Sequence, residues 1–582
     1  MPSDTSPRRT KRWVVGVCRN HHHLGPLELV GAVVDRVAQE LGGAPLAAGA
    51  MLDASPARGS EPPLDEWVVG AVHEQASSAT ARRARGAWYT PRSVVEGLIR
   101  VATDDGVAPS LIVDPTCGGG AFILAALDRL VELGLDPEEA LGRVAGMDLD
   151  DSAVQTTRWS VHLWLGRHLG WDRARELAET RLDIRPGDAL VDRAGWWEGP
   201  VLIVGNPPFA SPLKKGAVPD EAARFRLDQA ALLGPYADLG AIHLLNAVES
   251  ADPGSTVALV QPQSILSSRD TEAMRTHLGR VAPLRALWAA RELLFDAGVR
   301  ACAPVLEVGG RGADEIALYR GPLVEASGFT IARRWSAAAA DALGAPRLEV
   351  VGERSLGELV SATAGFRDEY YGLVGACREA GPSNGDGGRV VTVGSVDPLT
   401  VAWGREEFRF GGKMWTNPVV DRADLPPKVQ RWFDRLARPK ILLATQAKIL
   451  EPVIDRSGDL VPATPLIAVL CEPSDLDRVA AVLLAPPVSL WAWRRWFGTA
   501  LSVDSLKLAA RQVAELPLPA DEAHWAEAAE LLAESGEEGP VVAWDRALEV
   551  ATIMTEAFGA GPEVLAWWSA RRKSRPSEMA TP

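Results

Sequence analysis

The stretch Leu111-Ile112-Val113-Asp114-Pro115-Thr116-Cys117-Gly118-Gly119-Gly120-Ala121-Phe122-Ile123-Leu124-Ala125-Ala126-Leu127 reads as strand, glycine-rich turn and helix. A short apolar run bounded by turn residues suits a buried strand. The glycines let backbone approach a ligand closely, and the start of the following helix points free N–H groups at it. In open α/β sheets, ligands bind beyond the carboxyl ends of the strands. One such turn is weak evidence, and the segments downstream of it decide the reading.

Ala145-Gly146-Met147-Asp148 closes the next candidate strand and puts a carboxylate where ribose hydroxyls are usually held. Ile184-Arg185-Pro186-Gly187-Asp188 closes the one after and offers a second acid. Then comes Val201-Leu202-Ile203-Val204-Gly205-Asn206-Pro207-Pro208-Phe209, an apolar strand running into a loop stiffened by two prolines. Asn206 offers a side-chain carbonyl beside backbone carbonyls, which suits a planar NH2 group with two hydrogens to place. Phe209 can lie flat on the face of a base. Each segment alone could be an ordinary strand-to-turn junction. The ordered series of turn, acid, acid and Asn-Pro-Pro-Phe is a much stronger signal. Upstream, Ala84-Arg85-Gly86-Ala87-Trp88-Tyr89-Thr90-Pro91 precedes a helix expected over 94–101, and by itself reads as a capping turn.

Taken together, these segments resemble the adenine-N6 DNA methyltransferases of the gamma order, in which the cofactor motifs precede the target-recognition region. The match rests on Gly86 to Pro91, Asp114 to Phe122, Gly146-Met147-Asp148, Gly187-Asp188 and Asn206 to Phe209. It covers residues 65–310 well and 350–520 more weakly. The resemblance implies an α/β fold of the class I, Rossmann-like kind, with a mostly parallel seven-stranded sheet and a C-terminal α+β target-recognition domain. It implies S-adenosylmethionine as cofactor, double-stranded DNA as substrate, a base flipped out of the duplex, no metal and no covalent intermediate. Carried over residue by residue, Asp114, Pro115, Cys117, Gly118, Gly120 and Phe122 form the cofactor turn. Asp148 holds the ribose hydroxyls, Asp188 lies near the cofactor adenine, and Tyr89, Thr90 and Pro91 close over the methionine end. Asn206, Pro207, Pro208 and Phe209 are the catalytic set.

A chain of 582 residues exceeds the ~250–300 that one core usually supports, so several domains are expected. Hydrophobic content of 47% and charged content of 24% are those of an ordinary globular chain. No apolar run reaches the ~20 residues of a membrane span. The basic N-terminus is followed by an apolar stretch over 13–18 that is too short for a signal peptide. The expected location is the cytoplasm, with nucleoid association when bound to DNA. Five scattered cysteines and no CxxC pair argue for a reducing compartment and against zinc. His21-His22-His23 cannot share one helix or strand face and reads as a solvated loop.

The net charge of −15 speaks against binding DNA by bulk positive charge. Its distribution is uneven, with 16 Lys or Arg against 13 Asp or Glu over 401–520. A local basic face can bind DNA on an acidic protein. Residues 1–64 read as an extension with a helix over 27–41 and an Ala/Gly/Pro-rich linker. Residues 65–315 read as the α/β domain, with strands at 111–114, 144–148, 182–186, 201–205, 256–261, 285–289 and 301–308 and helices between them. Lys214 and Lys215 head a polar stretch that either closes over the substrate or is a solvated loop. Residues 345–520 interleave basic and aromatic side chains, which suits target recognition; the alternative is an α+β domain whose tryptophans fill its core. Arg405, Arg409, Lys413, Lys440 and Lys448 are the candidate DNA contacts there. Residues 521–582 read as two amphipathic helices and a basic tail.

Three functional readings compete. The first is a site-specific, adenine-specific DNA methyltransferase of a restriction-modification or phage-exclusion system, with separately encoded nuclease or defence-system subunits as partners. The second is an RNA or protein-glutamine methyltransferase. The third is a non-catalytic DNA-binding relative. The upstream Tyr-Thr-Pro segment and the large C-terminal region favour DNA, and intact Asn206 and Gly118 to Gly120 favour catalysis.

Overall fold

Five short segments become the parallel strands β1 (Ile112–Asp114), β2 (Val144–Asp148), β3 (Asp183–Pro186), β4 (Leu202–Gly205) and β5 (Thr256–Leu259), of which all but β3 are largely apolar and buried. The computed structural model describes residues 7–47, 64–76, 90–192, 196–210, 220–294, 299–348, 354–365, 367–381, 387–498, 505–534, 536 and 539–571. In space the five strands lie in the order β5-β4-β1-β2-β3. Every neighbouring pair among them is parallel, so their carboxyl ends share one edge. Parallel pairing requires crossovers, which helices such as Ala121–Glu132, Asp151–Leu169 and Leu239–Ser250 supply. The chain moves outward from β1 to β3 and then returns to place β4 on the other side of β1. The crevice between β1 and β4 is therefore a topological switch point, where open sheets of this kind take their ligands.

The sheet goes on beyond the seven expected strands and is mixed. To β7 (Leu284–Ala289) and β8 (Ala301–Glu307) it adds β6 (Gln261–Pro262), β9 (Ile316–Arg320) and β10 (Glu325–Thr330). These make a sheet of ten strands in the order β10-β9-β7-β8-β5-β4-β1-β2-β3, with β6 on β8. Strand β8 is antiparallel to β5, β6 and β7; β9 is parallel to β7 and antiparallel to β10. The sheet is thus larger than the seven strands expected; its β5-to-β3 half is parallel throughout, and the antiparallel pairs lie on the β8 side. The added strand β10, Glu-Ala-Ser-Gly-Phe-Thr, is mostly exposed, and its polar content masks the alternation that reveals a strand.

A core of Ile112, Leu124, Leu127, Val204, Trp164 and Trp288 fills the space around the sheet. The N-terminal helices Pro7–Asn20 and Pro26–Glu40 pack with helix Trp67–Ala76 around Val30, Val33, Val37, Val68 and Leu163. Among the described residues no helix is long and apolar enough to cross a membrane.

The chain divides into two compact units, Met1–Leu343 and Gly344–Pro582. The second is α+β. One of its four-stranded sheets has Lys440–Ala444 between Leu466–Leu470 and Pro452–Asp455. Helices Leu476–Leu484, Glu522–Ala533 and Pro540–Ala557 belong to the same unit. Its tryptophans are structural: Trp432 is buried, Trp403 packs against the core, and the Trp403 indole donates to Pro418 O at 2.9 Å.

Candidate active site

The glycine-rich turn is built by conformational need and by close approach. Gly118 and Gly120 have φ of 52° and 90°, a region that side chains with a Cβ rarely adopt. Gly120 is the N-cap of helix Ala121–Glu132. The turn is tied to the end of β2, where Gly118 N donates to Asp148 Oδ2 at 2.9 Å and Cys117 N donates to Met147 O at 2.8 Å. Thr157 Oγ1 donates to Gly118 O at 2.7 Å. Helix Trp67–Ala76 lies against the turn with no side chain between them. A Cβ on Gly119 would stand 2.5 Å from Gly70 Cα, and one on Gly70 would stand 2.8 Å from Gly119 O. His73 Nε2 lies 2.9 Å from Ser152 Oγ, linking the same helix to the segment after Asp148. No reading of the sequence singled out this helix; the lone glycine inside Trp67-Val68-Val69-Gly70-Ala71-Val72 was the available signal.

The second loop meets the first across the switch point. Gly205 ends β4 with φ of 151°, and a Cβ there would lie 2.5 Å from Asp114 Oδ1. The carboxylate at the end of β1 therefore packs on the backbone immediately before Asn206. Asn206, Pro208 and Phe209 are half-buried and Pro207 is buried. Beyond Phe209 the chain is anchored to helix Leu239–Ser250, with Leu239 N donating to Ala210 O at 3.1 Å and Asp238 capping Gly240 N at 2.9 Å. Asp114, Asp148, Asp188 and Asn206 thus follow four neighbouring parallel strands on one edge.

Burial dominates the electrostatics. It pushes the Asp114 carboxyl up to about 8; the nearby Asp148 charge adds to this, and the Thr116 N–H opposes it. Burial raises Asp238 to about 6 against the hydrogen bonds from Gly240 and Ala210, and it raises Asp188 as well. It also pulls His243, on the helix after the loop, down to about 4.

The other expected site residues divide. Thr90 is buried, and Pro91 is the N-cap of helix Arg92–Ala102. Pro115 and Cys117 are buried; Cys117 and Phe122 lie in the hydrophobic core and serve the turn by packing. Tyr89, Lys214 and Lys215 lie outside the described residues. In the second unit Arg409, Lys413 and Lys448 are exposed, and Lys413 Nζ sits 5.9 Å from the Trp415 ring centre. Arg405 is exposed but donates to Thr400 and Val401 of its own loop. Lys440 is corrected outright. It is fully buried and paired with Asp455, so it has no surface to offer DNA.

Residues 66–309 match the family model described as N-6 DNA Methylase. The methylase subunit of the type I restriction enzyme MjaIX from Methanocaldococcus jannaschii is 25% identical over 223 residues, which are 38% of this chain and 35% of that protein. The chain thus spans about a third of the length of this curated relative. Among solved structures, the type IIL restriction-modification enzyme MmeI, solved in complex with DNA, aligns with a TM-score of 0.61 at 13% identity over 100% of this chain and 98% of that one. That likeness is one of fold. A modification subunit of a type I restriction enzyme from Vibrio vulnificus YJ016 is 19% identical over 44% of this chain and 51% of that one, with a TM-score of 0.32. Residues 66–309, which carry both the Asp114-to-Gly120 turn and the Asn206-to-Phe209 loop, are thus similar to the N-6 DNA methylase family.

Proposed function

We propose that the protein is a site-specific DNA methyltransferase that moves a methyl group from S-adenosylmethionine to the N6 amino group of an adenine flipped out of double-stranded DNA. Its setting is a restriction-modification or anti-phage system with separately encoded subunits. The observation that carries this reading is the contact across the switch point. Gly205, directly before Asn206, packs on the carboxylate that opens the glycine-rich turn.

The turn fits the cofactor. It presents backbone at a helix N-terminus with no side chains in the way, and the Asp148 carboxylate is fixed by Gly118 N beside it. When bound, S-adenosylmethionine supplies an electrophilic methyl group on a positively charged sulfonium. The chain's own residues prepare the acceptor. The Asn206 side-chain carbonyl and the Pro207 carbonyl accept the two amino hydrogens and draw the nitrogen lone pair out of conjugation with the ring. Phe209 stacks on the base and offsets part of the cost of unstacking it. Two rigid neighbouring strand ends hold the reacting groups in line, which converts orientation into rate.

Modified-base sequencing of DNA from cells expressing the protein tests the reading. N6-methyladenine at a defined motif is expected, and unmodified DNA from an expressing strain would overturn it. Replacing Asp148 with Ala should weaken cofactor binding by tenfold or more, about 1.4 kcal/mol, as read by calorimetry. Unchanged affinity would remove Asp148 from the site.

Asp114 gives a pH prediction. Its folded pKa, about 8, is raised, so the free protein holds this proton at pH 7. A group raised in this way contributes its full stability below its unfolded value, about 4, and loses it as pH rises through about 8. A cation bound nearby favours the charged carboxylate. Cofactor binding at pH 7 should therefore release a proton, seen as a binding enthalpy that differs between phosphate and Tris buffers. Asp114→Asn should abolish the difference; a release that persists in that variant comes from another group.

The second unit is proposed to choose the DNA sequence. Exposed Arg409, Lys413 and Lys448 are its candidate phosphate contacts. Removing one of them should weaken binding to all sequences alike and reduce the salt slope by about 0.9. A slope that does not change would exclude that residue.

A further inference from the structure

We infer that Gln261 is a specificity residue of the target pocket, donating from its side-chain amide to a ring nitrogen of the flipped adenine. The inference rests on the N6-adenine reading above and adds to it. Gln261 stands just past the end of β5, on the opposite side of β4 from β1 and the glycine-rich turn. Val260 N donates to Gly205 O at 2.9 Å, so Gln261 comes immediately after the rung that precedes Asn206. This is the target side of the switch point, away from the cofactor acids.

The side chain is fully buried, yet among the described residues neither amide atom has a hydrogen-bond partner. Natural proteins rarely leave such groups unpaired, because each loses its hydration without return. Gln263, two residues on, shows the structural alternative: its Nε2 donates to Ala290 O at 2.6 Å and to Ala301 O at 3.0 Å. The Gln261 amide instead points at the wall shared with the catalytic loop. A Cβ built on Gly240 would stand 3.1 Å from Gln261 Oε1, 3.3 Å from Asp238 Oδ1 and 3.4 Å from Phe209 Cδ1. Gly240 lies in a helix and has no left-handed backbone to require glycine; what its missing side chain leaves is room for these three groups.

The chemistry selects the partner. Asn206 and Pro207 use the two amino hydrogens of the target. The unsatisfied base group beside that amine is a ring acceptor, N1 on one edge of adenine and N7 on the other. The Gln261 Nε2–H is the donor available to meet it. Thymine and guanine put a carbonyl where adenine has its amine, so the same pocket disfavours them.

The test uses the purified full-length protein and oligonucleotide duplexes carrying the motif found by modified-base sequencing. Each duplex has adenine, 1-deazaadenine or 7-deazaadenine at the target position, and single-turnover rates are measured for wild type and Gln261→Met. For wild type, one of the two deaza substrates should react about 10- to 100-fold more slowly than adenine. In Gln261→Met, adenine should slow by a similar factor, and the extra penalty for that analogue should shrink to within about threefold. The variant's own ratio corrects for altered reactivity of the analogue, and unchanged cofactor affinity shows that the fold is intact. Equal penalties in wild type and variant overturn the role of Gln261 and leave the methyltransferase reading standing. No methylation of any adenine duplex by wild type overturns both.

Discussion

Asn206→Ala is expected to lower methyl transfer by about 100- to 1,000-fold, the scale on which removal of one preorganised polar contact at a reacting centre is felt. Cofactor affinity should stay within about twofold. The split comes from position. Asn206 begins where β4 ends, and the backbone before it packs on Asp114, while the cofactor turn is held by separate bonds from Gly118 to Asp148 and from Thr157 to Gly118. Removing the side chain leaves those bonds in place. It takes away an acceptor whose value rises as the amino nitrogen becomes tetrahedral, so the loss should fall on the chemical step. Single-turnover rates and calorimetry on the same preparation separate the two. A variant within tenfold of wild type would mean that the amino group is held elsewhere, and the catalytic assignment would fail.

Much of the first unit was legible because its signals are local. β1, β2 and β4 are short apolar runs ended by Asp or Gly, and the glycine-rich turn and Asn-Pro-Pro-Phe declare themselves within a dozen residues or so. Features that depend on partners distant in sequence were not legible. Gly70 looks like any helical glycine until Gly119 is placed against it. Strand β10 offers little apolar alternation and is held by its neighbour β9. Gln261 reads as the last residue of an expected strand until its amide is found buried and unpaired among the described residues. Helix Pro7–Asn20 opens with a basic segment for which no helix was expected; its burial of Val14 and Val17 against other helices organises it.

Lys440 is the instructive error, and it yields the second large effect: Lys440→Ala should destabilise the second unit by about 3–5 kcal/mol. In sequence, Lys440 comes after an arginine and a proline in a segment with a positive balance, so a surface role was the natural reading. Antiparallel register decides otherwise. Lys440 lies opposite Asp455 on the neighbouring strand, inside a stretch in which every residue of Lys440–Ala444 is buried. Its ammonium pairs with Asp455 and also donates to Gly458 O at 3.2 Å. Asp455 in turn accepts from Gly458 N at 2.9 Å and Leu460 N at 3.1 Å, so the pair pins the turn between two strands. Burial pulls the lysine below its ordinary pKa, and the Asp455 charge opposes that pull. Alanine would leave the carboxylate buried with only N–H and hydroxyl donors, which is why breaking such a pair costs more than the pair itself contributes. In thermal unfolding, cofactor should stabilise the transition of the unit that binds it, so the cofactor-insensitive transition reports on the second unit. That transition should fall sharply in Lys440→Ala, remain within about 0.5 kcal/mol of wild type in Lys448→Ala, and largely recover when Lys440→Met is combined with Asp455→Leu. A Lys440→Ala protein that loses less than about 1 kcal/mol while its DNA affinity drops would return Lys440 to the DNA-binding surface and refute the structural role.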